Sequence, residues 1–129
     1  MTYQELNKEV QNKLSEIIED CGVFFAFSEK QFEEGAKGKP KSDFTNIGMG
    51  GIVPKKNAAK YEKQSDKLTQ WYTDEVKKLN PVDVIRYELN NHEAYYTGDI
   101  EDTFDVVKGF GYTREQVRKV FRNKKLKEL

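Results

Sequence analysis

Apolar residues recur every three or four positions near the start of the chain, at Leu6, Val10, Leu14, Ile17 and Ile18. This spacing aligns them on one face of an α-helix and predicts a helix over residues 2–20. Thr2 and Glu5 stand at the two positions of a capping box. Gly22 suits the left-handed residue that follows many helices.

The same spacing returns further along the chain. It predicts helices over residues 29–34, 58–79, 81–90, 99–109 and 114–123. The residues placed to cap them at their N-termini are Ser28, Asn57, Asn80, Asp99 and Thr113. Gly35 is predicted to end the first of these helices, and the chain after the last helix is predicted to fray.

Three short segments predict strands, at residues 23–27, 44–53 and 93–97, because they are rich in aromatic and β-branched residues. Gly48, Gly50 and Gly51 interrupt the second segment. Glycine inside a strand usually marks a bulge or a tight turn, so we expect one of these there. The predicted fold is α+β, with a small three-stranded sheet packed with about five or six helices.

The length of 129 residues fits a single domain spanning residues 1–129. The hydrophobic fraction is 36% and the charged fraction is 34%, so a few large rings must supply much of the burial. We therefore expect Phe24, Phe27, Trp71 and Phe121 to be largely buried.

The net charge of zero hides four blocks of alternating sign. Residues 1–34 and 68–113 each carry a net charge of −5, and residues 35–67 and 114–129 each carry +5. Blocks of one sign can form surface patches that steer a charged partner. The alternative is that opposite blocks face each other in the fold, and the sequence leaves both open.

Cysteine usage and hydropathy suggest where the protein works. Cys21 is the single cysteine, so an internal disulfide is impossible and a reducing compartment is the default. Residues 1–10 lack an apolar signal region, and no run approaches the ~20 apolar residues that cross a bilayer. We expect a cytoplasmic protein with no membrane partner.

The sequence contains no recognisable catalytic or metal motif. His92 is the only histidine, whereas a zinc site needs three or four ligands at motif spacing. Cys21 has no partner that would make it a nucleophile. The acids at residues 99–105 stand where they favour a helix start. We predict a non-enzymatic protein with no catalytic residue, cofactor, metal or small-molecule substrate.

Two basic runs carry the strongest functional signal. The candidate binding residues are Lys37, Lys39, Lys41, Lys55, Lys56, Lys60, Arg114, Arg118, Lys119, Arg122 and Lys125. Such runs suit a phosphate backbone or an acidic protein groove. The alternative is a solvated surface, with the C-terminal cations complementing a helix dipole.

The last two predicted helices, joined through Gly111, have the layout of a helix-turn-helix. A nucleic-acid-binding phage regulator that uses this basic pair is therefore the alternative function. Helix pairs are common, and most of them do not bind DNA.

Four stretches resemble a family of small uncharacterised proteins carried by phages and prophages. They are FFAFSEKQFEEG (24–35), IGMGGIVPKK (47–56), NHEAYYTGD (91–99) and GYTREQV (111–117). Proteins of this style include phage inhibitors of host defence, among them anti-CRISPR inhibitors of an RNA-guided RNA nuclease. The resemblance covers most of the chain and implies an inhibitor that works in the host cytoplasm.

The leading hypothesis is therefore a non-enzymatic inhibitor of a bacterial CRISPR or related defence nuclease. Its expected partners are the effector protein, the guide RNA, or both. An acidic face such as residues 68–113 would occupy a basic effector cleft by mimicry, whereas the basic runs would grip the guide RNA. The sequence leaves both modes and the oligomeric state open.

Overall fold

The computed structural model describes residues 1–129, which form seven α-helices and three β-strands. The helices are α1 (Tyr3–Cys21), α2 (Glu29–Ala36), α3 (Ala58–Lys77), α4 (Pro81–Asn91), α5 (Ala94–Thr97), α6 (Glu101–Val107) and α7 (Arg114–Arg122). The strands are β1 (Phe24–Phe25), β2 (Phe44–Gly48) and β3 (Gly51–Pro54). The predicted helix-dominated α+β class is confirmed. None of the helices combines the length and the apolar character that spanning a membrane requires.

Hydrogen bonds at the helix starts confirm most of the predicted caps. Thr2 and Glu5 form both bonds of a capping box at α1, at 3.0 and 3.1 Å. Thr113 and Gln116 do the same at α7, at 2.7 and 3.1 Å. Asn80 caps α4 through its side-chain oxygen. Each bond satisfies a backbone N–H that has no partner inside its helix.

Two predicted boundary roles are wrong. Asn57 does not cap α3, because it lies in a 3₁₀ turn and donates its side-chain N–H to the Cys21 carbonyl at 2.8 Å. Gly35 does not end α2 but lies inside it. A Cβ at this position would come within 2.2 Å of the Phe24 ring, so the glycine lets the helix approach the ring. Lys37, with φ of 53°, ends the helix instead.

The sheet is antiparallel throughout, with strand order β1-β3-β2. Met49 and Gly50 form the tip of the β2–β3 hairpin and have φ values of 51° and 79°. Positive φ at both central residues is what a type I′ turn requires. The register of β2 shifts between Asn46 and Gly48. The predicted bulge or tight hairpin is therefore confirmed, and this hairpin supplies two of the three strands.

The predicted strand at residues 93–97 is wrong. Residues Ala94–Thr97 form α5, between Glu93 and Gly98, which both have positive φ. Ala94 is fully buried, and Tyr95 stacks on Phe121 with ring centroids 5.4 Å apart. These tertiary contacts override the strand propensity of the paired tyrosines.

The chain divides into two compact units. We call Met1–Lys8 with Gln70–Leu129 the helical unit, and Glu9–Thr69 the sheet unit. The buried core of the helical unit consists of Tyr3, Leu6, Val76, Val82, Val84, Ile85, Leu89, Ala94, Ile100, Val107, Phe110, Val117 and Val120. The buried core of the sheet unit consists of Cys21, Val23 and Val53.

The aromatic residues expected in the core are less buried than predicted. Phe24, Trp71 and Phe121 are half-buried. Phe27 is 76% exposed, so its predicted burial is wrong. Phe27 immediately precedes the Ser28 cap of α2, and its ring lies against Gly50 at the hairpin tip instead of entering the core.

The helical unit buries the carboxylate of Glu88 and surrounds it with polar side chains. Glu88 accepts a hydrogen bond from the Tyr3 hydroxyl at 2.8 Å, and its other carboxylate oxygen lies 3.2 Å from Nε2 of His92. Thr103 donates its hydroxyl to the backbone carbonyl of Glu88 at 3.2 Å. Burial, together with bonds to Tyr72 and Glu88, raises the pKa of Tyr3 well above its usual value. The hydroxyl therefore stays protonated and remains a donor.

The segment after α7 is not helical, and polar side chains of the helical unit bind its backbone. Arg86 donates its guanidinium N–H groups to the backbone carbonyls of Lys124 and Leu126. Asn80 donates its amide to the carbonyl of Lys127 at 2.9 Å. The segment thus satisfies backbone groups that would otherwise need water.

Candidate functional site

The ion pairs of the structure divide the candidate cations into two groups. In the sheet unit, Lys41 lies 2.7 Å from a carboxylate oxygen of Glu29, and Lys60 lies 2.9 Å from Asp20. The hydrogen bond and charge of Lys60 lower the pKa of Asp20, and the same contact raises the pKa of Lys60. Both cations already have a partner.

Two candidate cations of α7 are also held by acids. Arg114 makes two hydrogen bonds to Glu101, at 3.1 and 2.9 Å, and lies 4.3 Å above the Phe104 ring. Arg118 lies 3.8 Å from the Glu115 carboxylate. Forked pairing of this kind fixes a guanidinium, so Arg114 acts here as a bridge between α6 and α7.

The remaining candidates have exposed side chains without a carboxylate at ion-pair distance. They are Lys37, Lys39, Lys55, Lys56, Lys119, Arg122 and Lys125. A cation without an internal partner can bind a phosphate without first breaking an ion pair. This second group therefore holds the better candidates for an anion site.

Strand register brings three of these lysines to one place. Phe44, the first residue of β2, is the register partner of Pro54, the last residue of β3. The loop entering β2 carries Lys39, and the turn leaving β3 carries Lys55 and Lys56. Antiparallel pairing therefore sets the two basic segments side by side, although 15 positions separate Lys39 from the Pro54 that precedes the turn.

We call the resulting depression the lysine cleft. It has a volume of about 300 Å³ and is lined by Lys39, Ser42, Asp43, Phe44, Pro54, Lys55 and Lys56. Phe44 and Pro54 supply its apolar part. Asp43 is its one acidic group, so the lining side chains carry a net positive charge. The volume is at the small end of ligand pockets and suits a group of the size of one nucleotide.

The structure does not bring the other unpaired candidates into this cleft. Lys37 ends α2 in the left-handed conformation and is not part of the lining. Lys119 and Arg122 lie in α7, and Lys125 follows it, all within the helical unit. Three of the eleven predicted binding residues thus line a defined cleft in the sheet unit, and three others are exposed and unpaired in the helical unit.

A second depression adjoins the lysine cleft, since both are lined by Phe44. We call it the aromatic groove. It has a volume of about 380 Å³ and is lined by Ala26, Phe27, Ser28, Glu29, Phe32, Lys41, Phe44, Thr45, Asn46 and Ile52. Sequence reasoning missed it because it assigned Phe27 to the core. The available signal was the position of Phe27, directly before a helix cap and within reach of a glycine-rich turn.

A family model described as a family of unknown function, DUF7659, matches residues 6–128. The chain belongs to this family. The matched DUF7659 region includes every residue of the lysine cleft and of the aromatic groove. No curated protein and no solved structure matches the chain.

Cys21 and His92 are the side chains of this DUF7659 chain most suited to catalysis, and both pack against other side chains of the fold. Cys21 is fully buried, and its sulfur contacts the Gln64 amide oxygen at 3.8 Å. His92 follows α4 and faces Glu88, whose carboxylate also binds Tyr3. The structure contains no group of three or more His, Cys, Asp or Glu residues arranged to hold a metal ion.

Proposed function

We propose that this chain is a non-enzymatic inhibitor of a nucleic-acid-guided bacterial defence nuclease, and that it grips the RNA of that nuclease through the lysine cleft. One observation carries the RNA-binding part of the proposal. Lys39, Lys55 and Lys56 converge on one cleft, and none of them is neutralised by an ion pair. The inhibitor part rests on the resemblance to phage proteins.

Electrostatics favours the unpaired lysines as phosphate ligands. Their binding to a phosphate displaces counterions, which is the main source of affinity for nucleic acids. Lys60 and Arg114, in contrast, would have to exchange a carboxylate for the phosphate. Asp43 offsets one positive charge of the cleft but also offers an acceptor to N–H groups of a base.

The non-enzymatic part of the proposal is supported by the surroundings of Cys21 and His92. A nucleophilic cysteine needs access to its substrate and a nearby base, and Cys21 is buried beside an amide. His92 faces a carboxylate that also accepts the Tyr3 hydroxyl, an arrangement that stabilises the helical unit. These residues therefore contribute to the fold.

The test compares two triple variants in RNA binding. The Lys39→Gln/Lys55→Gln/Lys56→Gln variant removes the cations of the cleft, and we expect it to lower affinity for single-stranded RNA by more than tenfold. Loss of three phosphate contacts should also flatten the dependence of log K on log[salt] by about 2, at roughly 0.7 per contact. Titration of labelled RNA at several salt concentrations measures both quantities. Protection of target RNA from the purified effector should fall in parallel.

The matched control, Lys119→Gln/Arg122→Gln/Lys125→Gln, removes the same charge from the helical unit. We expect it to bind RNA as the unchanged chain does. If the cleft variant binds normally, the proposal is wrong. Affinity that does not change with salt would also contradict it, and would favour an apolar interface with the effector protein.

The control variant also tests the alternative, a nucleic-acid-binding regulator that uses the C-terminal helix pair. The observation in its favour is that Lys119, Arg122 and Lys125 are exposed and unpaired. Arg114 and Arg118, however, are held by Glu101 and Glu115. Loss of DNA or RNA binding in the control variant alone would establish this alternative.

A further inference from the structure

The aromatic groove continues the lysine cleft across one face of the sheet. Phe44 lines both depressions. Its ring makes edge contacts with the rings of Phe24 and Phe32, with centroids 5.6 and 5.5 Å apart. These rings fix Phe44 as a shared wall. A ligand that leaves the cleft past Phe44 therefore enters the groove, where the exposed ring of Phe27 forms part of the lining.

Phe27 is exposed but anchored. Its backbone N–H donates to the Gln31 side-chain oxygen at 2.7 Å, and the neighbouring Ala26 N–H donates to the Gly50 carbonyl at 2.9 Å. The ring lies against Gly50, where an added Cβ would come within 2.4 Å of it. The ring is 76% exposed and already packed on one side, so a ligand can stack on its free face with little further loss of side-chain entropy.

The groove offers polar groups beside this ring but little net charge. Asn46 uses its side-chain oxygen to accept from the Gly48 N–H at 2.7 Å, which leaves its NH₂ group free to donate. Lys41 and Glu29 neutralise each other at 2.7 Å. The cleft therefore supplies cations, and the groove supplies the exposed aromatic ring of Phe27 together with neutral hydrogen-bonding groups.

We propose that a single strand of RNA crosses this face of the sheet, with its phosphates on the lysine cleft and one base stacked on Phe27. This inference rests on the proposed function. It adds that the RNA is single-stranded and that Phe27 is the residue that selects single strands over duplexes. Basic grooves combined with aromatic platforms are the usual means of binding unpaired strands. A duplex keeps its bases inside and cannot offer one to Phe27. The positive charge of the adjoining cleft favours this polyanion over an apolar peptide.

The experiment uses the full chain and a single-stranded RNA of about ten nucleotides, within the range of known single-domain sites. Phe27→Leu keeps an apolar cover over Gly50 but removes the stacking face. We expect about a tenfold loss of affinity, the size of one base–aromatic stack. The salt dependence should stay unchanged, because no phosphate contact is removed.

Phe25→Leu is the matched control. Phe25 is also an exposed phenylalanine, at 52%, but it lines neither depression and pairs with Gly51 in the sheet. We expect its variant to bind within about twofold of the unchanged chain, since exposed substitutions away from a site have small effects. Circular dichroism of both variants verifies that the fold is kept.

A fluorescent base analogue, 2-aminopurine, placed singly along the RNA gives a direct readout of stacking. We expect quenching at one position in the unchanged chain and in Phe25→Leu, and recovery of the signal in Phe27→Leu. Duplex RNA of the same sequence should bind more weakly and show no sensitivity to Phe27.

The outcomes separate this inference from the proposed function. If the triple lysine variant loses RNA binding while Phe27→Leu matches Phe25→Leu, the stacking inference is wrong and the lysine cleft still stands as the RNA site. Normal RNA binding by the triple lysine variant overturns both. Loss of effector-protein binding in Phe27→Leu, with RNA binding unchanged, assigns the groove to a protein and also overturns the inference.

Discussion

The helical unit and the sheet unit use similar numbers of residues in different ways. The helical unit buries thirteen residues in its core, and it also buries the Glu88 carboxylate with its hydroxyl partner. The core cluster of the sheet unit has three buried residues, and the unit leaves Phe25, Phe27 and Met49 exposed. It also carries the unpaired lysines of the cleft. Stability and candidate function are therefore concentrated in different parts of the chain.

The difference has a physical basis. Apolar burial is the dominant favourable term in folding, so the unit with the larger core has more stability to lose. Binding requires the opposite, because rings and cations must stay exposed to meet a partner. The sheet unit can keep them exposed because strand pairing and side-chain caps hold its backbone with few buried residues.

The largest expected effect comes from truncating a core residue of the helical unit. Leu89 is fully buried, and Leu89→Ala should lower the free energy of unfolding by about 2–5 kcal/mol. Val53→Ala in the sheet unit removes fewer carbons and should cost about 2 kcal/mol. Chemical denaturation followed by circular dichroism measures both. Val106→Ala, at a site 38% exposed, is the control and should change little. A larger loss for Val53→Ala than for Leu89→Ala would break the comparison.

Removing the hydroxyl that binds the buried carboxylate should have the next largest effect. Tyr3→Phe leaves Glu88 without its 2.8 Å donor and should cost about 1–3 kcal/mol. Tyr87→Phe, which changes a more exposed tyrosine in edge contact with Tyr3, is the control and should be nearly neutral. Equal stability of the two variants would show that the carboxylate needs no donor at this position.

The same hydroxyl should give the chain an alkaline limit. The pKa of Tyr3 is raised in the folded state from an ordinary value of 10.0, so folding favours the protonated form. Its contribution is complete below pH 10 and is lost progressively as the pH rises above 10. We expect the unfolding free energy of Tyr3→Phe to fall less steeply above this pH than that of the unchanged chain. Parallel slopes would contradict the assignment.

One glycine variant in each unit separates the cost of a positive-φ backbone from the effect of displacing the Phe27 ring. Gly50 and Gly98 have φ values of 79° and 76°, so Gly50→Ala and Gly98→Ala should each cost about 1–2 kcal/mol. An added methyl group meets a neighbour only at Gly50, where it would push the Phe27 ring out of its position. Because the ring is exposed, this displacement should add little to the loss of stability. We therefore expect similar stability losses but weaker RNA binding in Gly50→Ala alone. Unchanged RNA affinity in this variant would argue against Phe27 as the platform.

The smallest expected effect is a gain. Met49 is 94% exposed and has a φ of 51°, a conformation that asparagine adopts more readily than methionine. Met49→Asn should stabilise the chain by about 0.5 kcal/mol, measurable as a shift of the denaturation midpoint. Met49→Leu keeps the backbone cost and should give no gain. A gain of the same size in both variants would show that the turn conformation is not the cause.

Much of the fold was predictable because it depends on local interactions. Apolar spacing and capping pairs such as Thr113 with Gln116 specify helices within a few residues of chain. The glycines at 48, 50 and 51 likewise predicted the hairpin. The prediction of a strand at residues 93–97 was wrong. The tyrosines have strand propensity, but the burial of Ala94 and the stacking of Tyr95 on Phe121 favour a helical turn.

The site was predictable only as a set of residue types. The sequence identified the basic runs, but it could not tell Lys55, which is unpaired, from Lys60, which lies 2.9 Å from Asp20. That distinction depends on the packing of α1 against α3 within the sheet unit, 40 positions apart in the chain. Phe27 was misassigned for the same reason, since only the tertiary structure places its ring against the hairpin tip and outside the core.

The sequence by itself determined six of the seven helices, most of their caps, the hairpin and the segregation of charge, because each of these arises from neighbours along the chain. Tertiary structure decided which cations stay unpaired, which ring stays exposed and which segments lie side by side. Antiparallel pairing of Phe44 with Pro54 is what joins Lys39 to Lys55 and Lys56. The glycines predicted the turn, but the register that sets Phe44 opposite Pro54 depends on how the two strands pair, which periodicity and composition do not encode.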